Sequence, residues 1–232
     1  MAPFDAILFD LDGTLCTNDQ CGETIYNGAF AAADIERFGD PADLWAALDG
    51  PPDPDNPEAH LTASFERVAA QYGRESVDAT ALARGFLETV DHTAVSFLPG
   101  AKAALSAARA RSHVGLVTNG PERRQSVKLD ALGIDDAFDV VVFAGDMPRR
   151  KPHPDPFDRA LDALDVGPAV SLYVGNSLEF DVGGAQRAGL DAAWCPDDTG
   201  TDLDPGAYTP EYVLQSLHEF TDILDTHSDV RR

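Results

Sequence analysis

The sequence predicts an α/β fold, a doubly wound parallel sheet of Rossmann-like type with an inserted α-helical domain. Short apolar runs bounded by turn residues recur along the chain and read as strands;. Helix-forming stretches separate most of them, as right-handed crossovers between parallel strands require. The stretch between the first run and the second carries helical periodicity but no clear strand.

The strand runs are Phe4 to Asp10, Val114 to Thr118, Val140 to Gly145, Ser171 to Val174 and Ala192 to Cys195. Ala101 to Arg111 is rich in alanine and leucine and reads as a helix;. Pro121 opens a second helix, which Gly133 ends;. Pro156 to Leu164 and Gly183 to Ala188, closed by Gly189, supply two more. The tail from Thr209 is expected to hold a last short strand and a terminal helix.

Within the insertion, Ala29 to Phe38, Ala42 to Leu48, His60 to Tyr72 and Thr80 to Val90 read as amphipathic helices;. The run Gly50-Pro51-Pro52-Asp53-Pro54-Asp55-Asn56-Pro57 interrupts them as a stiff polar loop;. The expected organisation is a core domain of residues 1–16 and 94–232, with residues 17–93 forming the helical domain.

Composition narrows the function classes. Forty acidic residues face 17 basic ones, a formal charge of −23, while 44% of residues stay hydrophobic. Acid spread over so apolar a chain is not a disordered tail. It resembles the proteins of extreme halophiles, in which concentrated salt screens self-repulsion. Such a surface repels nucleic acid and anionic membranes, so neither is expected as a partner. No apolar run is long enough to span a bilayer and no signal sequence opens the chain, so a cytoplasmic protein is expected. Cys16, Cys21 and Cys195 lack metal or disulfide spacing;.

The chemistry concentrates at strand ends. Phe9-Asp10-Leu11-Asp12-Gly13-Thr14-Leu15 places two carboxylates one residue apart where the first strand stops. Alternation along an extended chain returns Asp12 to the side of Asp10. Thr118-Asn119-Gly120 ends the second strand, and Lys151-Pro152-His153-Pro154 follows the third. Gly175-Asn176-Ser177 ends the fourth, with Asp181 downstream. Each segment alone also reads as ordinary turn chemistry, and Lys151 also reads as a solvated cation beside Arg149 and Arg150.

Together and in this order, the four segments resemble the haloacid dehalogenase superfamily, from Phe4 to about Trp194. The resemblance implies a magnesium-dependent phosphatase with a helical cap of the C1 type, acting on a small phosphorylated metabolite. It makes Asp10 the nucleophile that forms an aspartyl-phosphate and Asp12 the general acid and base. A neighbouring carboxylate and the substrate's charge are both expected to push Asp12 upward. Thr118, Asn119 and Lys151 are the implied phosphate ligands. Asp10, the Asp12 carbonyl, Asn176 and Asp181 are the implied Mg2+ ligands. Asn176 departs from the family's usual Gly-Asp, which predicts weaker metal binding or greater reliance on Asp181.

Aromatic residues replace Asp12 in the family's dehalogenases, and its phosphonatases use a cap lysine that residues 17–93 lack. A sugar phosphomutase and a non-catalytic binding protein remain as alternatives. Oligomeric state and substrate identity carry no readable signal.

Overall fold

The computed structural model describes residues 4–48, 56–196 and 208–230, the side chains of 226–230 excepted. The chain separates into two compact units, Met1–Asn18 with Val95–Arg232 and Asp19–Ala94.

The first unit is built on a six-stranded sheet. Its strands are β1 (Ala6–Phe9), β4 (His113–Thr118), β5 (Val140–Phe143), β6 (Ser171–Gly175), β7 (Asp191–Trp194) and β8 (Tyr212–Val213). A short antiparallel ribbon of β2 (Cys16–Asn18) and β3 (Val95–Phe97) lies apart from it. The sheet order is β5-β4-β1-β6-β7-β8, and every pairing within it is parallel. β1 therefore occupies the interior, with all four residues buried, which is why it reads as an unbroken apolar run. The predicted doubly wound sheet is what forms.

Helices α5 (Ala101–Arg109), α6 (Glu122–Leu132), α7 (Asp155–Leu164), α8 (Gly183–Ala188) and α9 (Phe220–Val230) complete this unit. One cluster joins Ile7, Phe9, Leu116 and Val174 to Ala104, Leu105 and Phe220. A second joins Leu8, Val117 and Tyr173 to Phe157, Leu161 and Ala185. Successive residues of β1 alternate between the two clusters, as a strand buried on both faces must.

The second unit contains α1 (Gly22–Ala33), α2 (Pro41–Ala47), α3 (Pro57–Gln71) and α4 (Ala79–Thr89). Its core gathers Tyr26, Phe30, Phe38, Leu44, Phe65, Val68, Leu82 and Phe86. Gly85 permits a close approach of α1 to α4, since a Cβ there would lie 2.7 Å from the Ala29 carbonyl oxygen.

Two expectations change. The helix expected over Ala29 to Phe38 runs instead over Gly22–Ala33. Asp34 turns left-handed (φ 54°) and its N–H caps the Ala31 carbonyl, so the chain leaves the helix;. Phe38 then enters the core as a loop residue, its carbonyl accepting from the Tyr26 hydroxyl at 3.0 Å. The β2–β3 ribbon, three residues a side, is too short to give a periodic signal. Of the polar loop expected over Gly50 to Pro57, residues 50–55 lie outside the described residues. Asn56 accepts from the Ala59 N–H and Pro57 opens α3;.

Candidate active site

Because β1 pairs in parallel with both β4 and β6, the carboxyl ends of these strands share one edge of the sheet. Asp10 follows β1, Thr118 ends β4, and Gly175 ends β6. The loop after β5 brings Lys151 to the same edge. Open parallel sheets bind ligands at this edge.

Lys151 is the centre of the cluster. Its Nζ donates to Asp10 Oδ1 at 2.8 Å, Asp181 Oδ1 at 2.7 Å and the Tyr173 hydroxyl at 2.7 Å. Three acceptors match the three N–H bonds of an ammonium. With 2% exposure, Lys151 is no solvated loop cation. Asn119 fixes its backbone, accepting from the Lys151 N–H at 2.9 Å and donating to the Lys151 carbonyl at 3.0 Å. The Asn119 side chain is thus spent on the Lys151 loop, leaving its backbone amide as the group that can face a ligand. The Lys151–Pro152 bond is cis.

One ammonium sits between two buried carboxylates. Burial raises Asp10, Lys151 opposes the rise, and Asp181 adds to it, leaving the Asp10 carboxyl at about 7. Burial lowers Lys151, but Asp10 and Asp181 outweigh it and hold the ammonium above its ordinary range. Asp181 sits on a π-helical turn, Leu178–Val182, and its Oδ2 accepts from the Ser177 N–H at 2.9 Å;.

Asp12 lies beside this cluster and is held from α6. Lys128 Nζ pairs with its Oδ1 at 2.5 Å, and Gln125 Nε2 donates to its Oδ2 at 2.7 Å. The Asp12 side chain is nearly half exposed, 46%, so its desolvation is partial; that desolvation pushes Asp12 up, yet Lys128, Gln125 and Arg124 together outweigh it and hold the carboxyl below its ordinary value. The protein's own groups thus pull Asp12 down, because α6 contributes cations that the local motif does not contain; the upward push expected of a bound substrate's charge acts against them. Gln125 also donates to the Thr118 hydroxyl at 2.7 Å, joining Asp12 to the end of β4.

Asn176 lies against the first loop. A Cβ on Gly13, whose φ is 78°, would come within 2.5 Å of Asn176 Nδ2, so this turn needs glycine for conformation and for space;. Asn176 Oδ1 accepts a long bond from the Thr14 hydroxyl, 3.4 Å, and its carbonyl accepts from Trp194 Nε1 at 2.8 Å. Among the described residues no set of three His, Cys, Asp or Glu side chains is placed to cage a metal. The Asp10 and Asp181 carboxylates and the Asn176 amide oxygen are hard donors. Magnesium binds through one or two carboxylates with water and phosphate completing its shell, so this set fits it.

The remaining polar residues have other duties. Arg149 pairs with Asp155 at 2.7 Å and also meets His153 Nε2 at 2.9 Å. Burial raises the Cys195 thiol to about 11, and Cys16 is buried, so neither is poised as a thiolate;. Gln125, Lys128 and Tyr173 are the site residues that motif reading passes over. Gln125 and Lys128 are buried polar side chains three apart on one helix, a spacing visible in the sequence but silent about its partner;. Tyr173 in an apolar strand looks like core and gives no signal.

The chain is 29% identical over 233 residues to the pyrimidine 5'-nucleotidase YjjG of Escherichia coli, covering 97% of this chain and 99% of that protein. A crystal structure of a predicted phosphoglycolate phosphatase from Haemophilus somnus superimposes with a TM-score of 0.76 at 23% identity, covering 96% of this chain and 99% of that one. The magnesium-bound HAD-hydrolase YfnB of Bacillus subtilis does so with a TM-score of 0.72 at 23% identity, covering 96% and 99%. No helix among the described residues is long and apolar enough to cross a membrane. The haloacid dehalogenase-like hydrolase profile matches residues 4–189. That span takes in β1 with its two carboxylates, the Lys151 cluster and the Asp181 turn, and the chain belongs to this family of hydrolases.

Proposed function

We propose that the protein is a magnesium-dependent phosphatase that hydrolyses a small phosphorylated metabolite through an aspartyl-phosphate on Asp10. The observation that carries this reading is that Asp10 and Asp12, one residue apart just past β1, are each held by a separate cation. Lys151 holds the first, and α6 holds the second. The resemblance to a named nucleotidase and to a magnesium-bound structure supports it.

Phosphate esters resist attack because their oxygens repel nucleophiles, so catalysis is mainly positioning and charge neutralisation. Asp10 Oδ attacks phosphorus while the ester oxygen departs and takes a proton from Asp12. Water then attacks the acyl phosphate, Asp12 takes that water's proton, and phosphate leaves with the Asp10 carboxylate restored. In the free protein Asp12 is ionised against Lys128, so it gains its proton as the substrate's negative charge approaches. Lys151 offsets charge on Asp10 and the phosphoryl group, and Thr118 donates to a phosphoryl oxygen. Asp10, the Asp12 carbonyl, Asn176 and Asp181 would hold magnesium, which would supply further neutralisation of the phosphate when bound.

We assign Asp19–Ala94 the role of a cap that excludes water and selects the substrate. The magnesium-bound relative reveals interdomain movement of its own.

The reading is tested by para-nitrophenyl phosphate hydrolysis in molar KCl. Release that requires magnesium is expected. A folded protein that binds magnesium but releases nothing would favour a binding role or mutase chemistry instead. Asn176→Asp should tighten magnesium about tenfold by calorimetry, since an anionic oxygen replaces a neutral one. Equal affinity in the two proteins would remove Asn176 from the ligand set. The charge of −23 further predicts a melting temperature that climbs from low salt to molar KCl as self-repulsion is screened;. A melt indifferent to salt would argue against a halophilic surface.

A further inference from the structure

The hydrogen bonds around Thr118 account for every group except one proton. A threonine hydroxyl has one donor and two acceptor positions. At Thr118 the oxygen receives the Gly120 N–H at 3.2 Å and Gln125 Nε2 at 2.7 Å. Both acceptor positions are filled, and the hydroxyl donates to nothing among the described residues. Gln125 is itself fully buried, and both its N–H bonds are committed, one to Thr118 and one to Asp12 Oδ2.

The orientation of the Gln125 amide follows from the same count. Turned over, its oxygen would face the Asp12 carboxylate and leave two acceptors opposed at hydrogen-bond distance. In the orientation present, Gln125 Oε1 is buried without a partner. That unmet acceptor has a cost, tolerated because the amide nitrogen serves two residues at once. The backbone accommodates the arrangement: a Cβ on Gly120 would collide with the Gln125 side chain. Glycine in Thr118-Asn119-Gly120 thus makes room for a glutamine five residues along.

We propose that Gln125 is a positioning residue: it fills the acceptor side of Thr118, so that the Thr118 hydroxyl presents its proton to a substrate phosphoryl oxygen, and it fixes Asp12 from the same amide. This rests on the phosphatase reading and adds to it a residue outside the strand-end motifs. Gln125 does not touch the phosphate. It decides which way a neighbouring hydroxyl points, converting an ambivalent group into a committed donor before substrate arrives.

The test is a double-mutant cycle on Gln125→Met and Thr118→Val, with inorganic phosphate as the probe, titrated calorimetrically into magnesium-loaded protein in molar KCl. Gln125→Met alone is expected to weaken phosphate about tenfold, the scale of one oriented hydrogen bond to a charged group. In the Thr118→Val background the same substitution should cost less than about twofold, because no hydroxyl remains to orient. Wild-type affinity in Gln125→Met, or an undiminished penalty in the Thr118→Val background, would overturn the proposal. Thermal melts exclude unfolding, and Gln125→Asn, which keeps an amide too short to reach both partners, repeats the comparison should methionine not fit. Hydrolysis of para-nitrophenyl phosphate by the wild type separates the two failures. A wild type that neither hydrolyses the ester nor binds phosphate sinks the phosphatase reading and this inference together. Turnover that persists alongside an additive cycle sinks this inference alone.

Discussion

Replacing Asp10 by Asn is expected to lower turnover at least about 10⁴-fold, as removing a covalent nucleophile does. The same substitution should make the metal-free protein more stable at pH 8. Burial lifts the folded Asp10 carboxyl to about 7 from an ordinary value of 3.8. A group raised on folding contributes stability that is complete below its unfolded pKa and is lost as pH rises through its folded one. Asp10 therefore works against the fold at pH 8 and is harmless below about pH 4. Asparagine has no proton to lose, and it leaves Lys151 paired with Asp181 alone. A gain of several degrees in melting temperature is expected at pH 8 and should fade toward pH 4. Lost activity with raised stability would identify Asp10 as a residue kept for chemistry at the expense of the fold. A destabilised variant would instead make Asp10 a structural partner of Lys151.

The second large effect is at Lys151. Lys151→Met removes the cation that satisfies Asp10, Asp181 and Tyr173 together. Breaking a buried pair from one side leaves uncompensated carboxylates and costs about 3–5 kcal/mol. For a chain of this size that is a fall of roughly 10 °C in melting temperature. Differential scanning calorimetry at pH 7.5 reads it directly. Turnover should fall about 10³-fold as well, because phosphate would meet Asp10 and Asp181 without a counter-charge. A melt within a degree of wild type would mean that Lys151 contributes no more than an exposed cation, contrary to its burial.

These two residues were among the most legible in the sequence, and the reason is topological. A parallel sheet buries its central strands on both faces, so β1, β4 and β6 appear as plain apolar runs, and their motifs begin where the runs stop;. Asp10, Thr118 and Asn176 each lie within a residue of a strand's end. Lys151 is one of only three lysines in the chain, which makes a lysine beside Pro152 conspicuous in the sequence. What sequence did not disclose was supplied by side chains reaching in from elsewhere. Gln125 and Lys128 act from the first two turns of the helix after β4, and Tyr173 acts from inside a strand;.

That gap bears on Asp12. The local motif and an arriving phosphate both push its carboxyl upward, whereas Lys128, 116 residues away in sequence, holds it down until substrate charge arrives;. In the helical unit, the misplaced boundary at Asp34 has a local cause, because a non-glycine residue in the left-handed region carries no sequence mark;. The ribbon of β2 and β3 fails to register for its brevity alone.

The claim on which the mechanism depends is that phosphate is carried on Asp10. The most direct measurement is reductive trapping: the enzyme is acid-quenched during turnover of para-nitrophenyl phosphate with magnesium, treated with borohydride, and digested for mass spectrometry. An acyl phosphate on Asp10 is reduced to an alcohol, so homoserine should appear at position 10 in the wild type and be absent when substrate is omitted. Hydrolysis that proceeds with Asp10 unmodified, or with the modification at Asp12 or Asp181, would contradict a covalent route through Asp10.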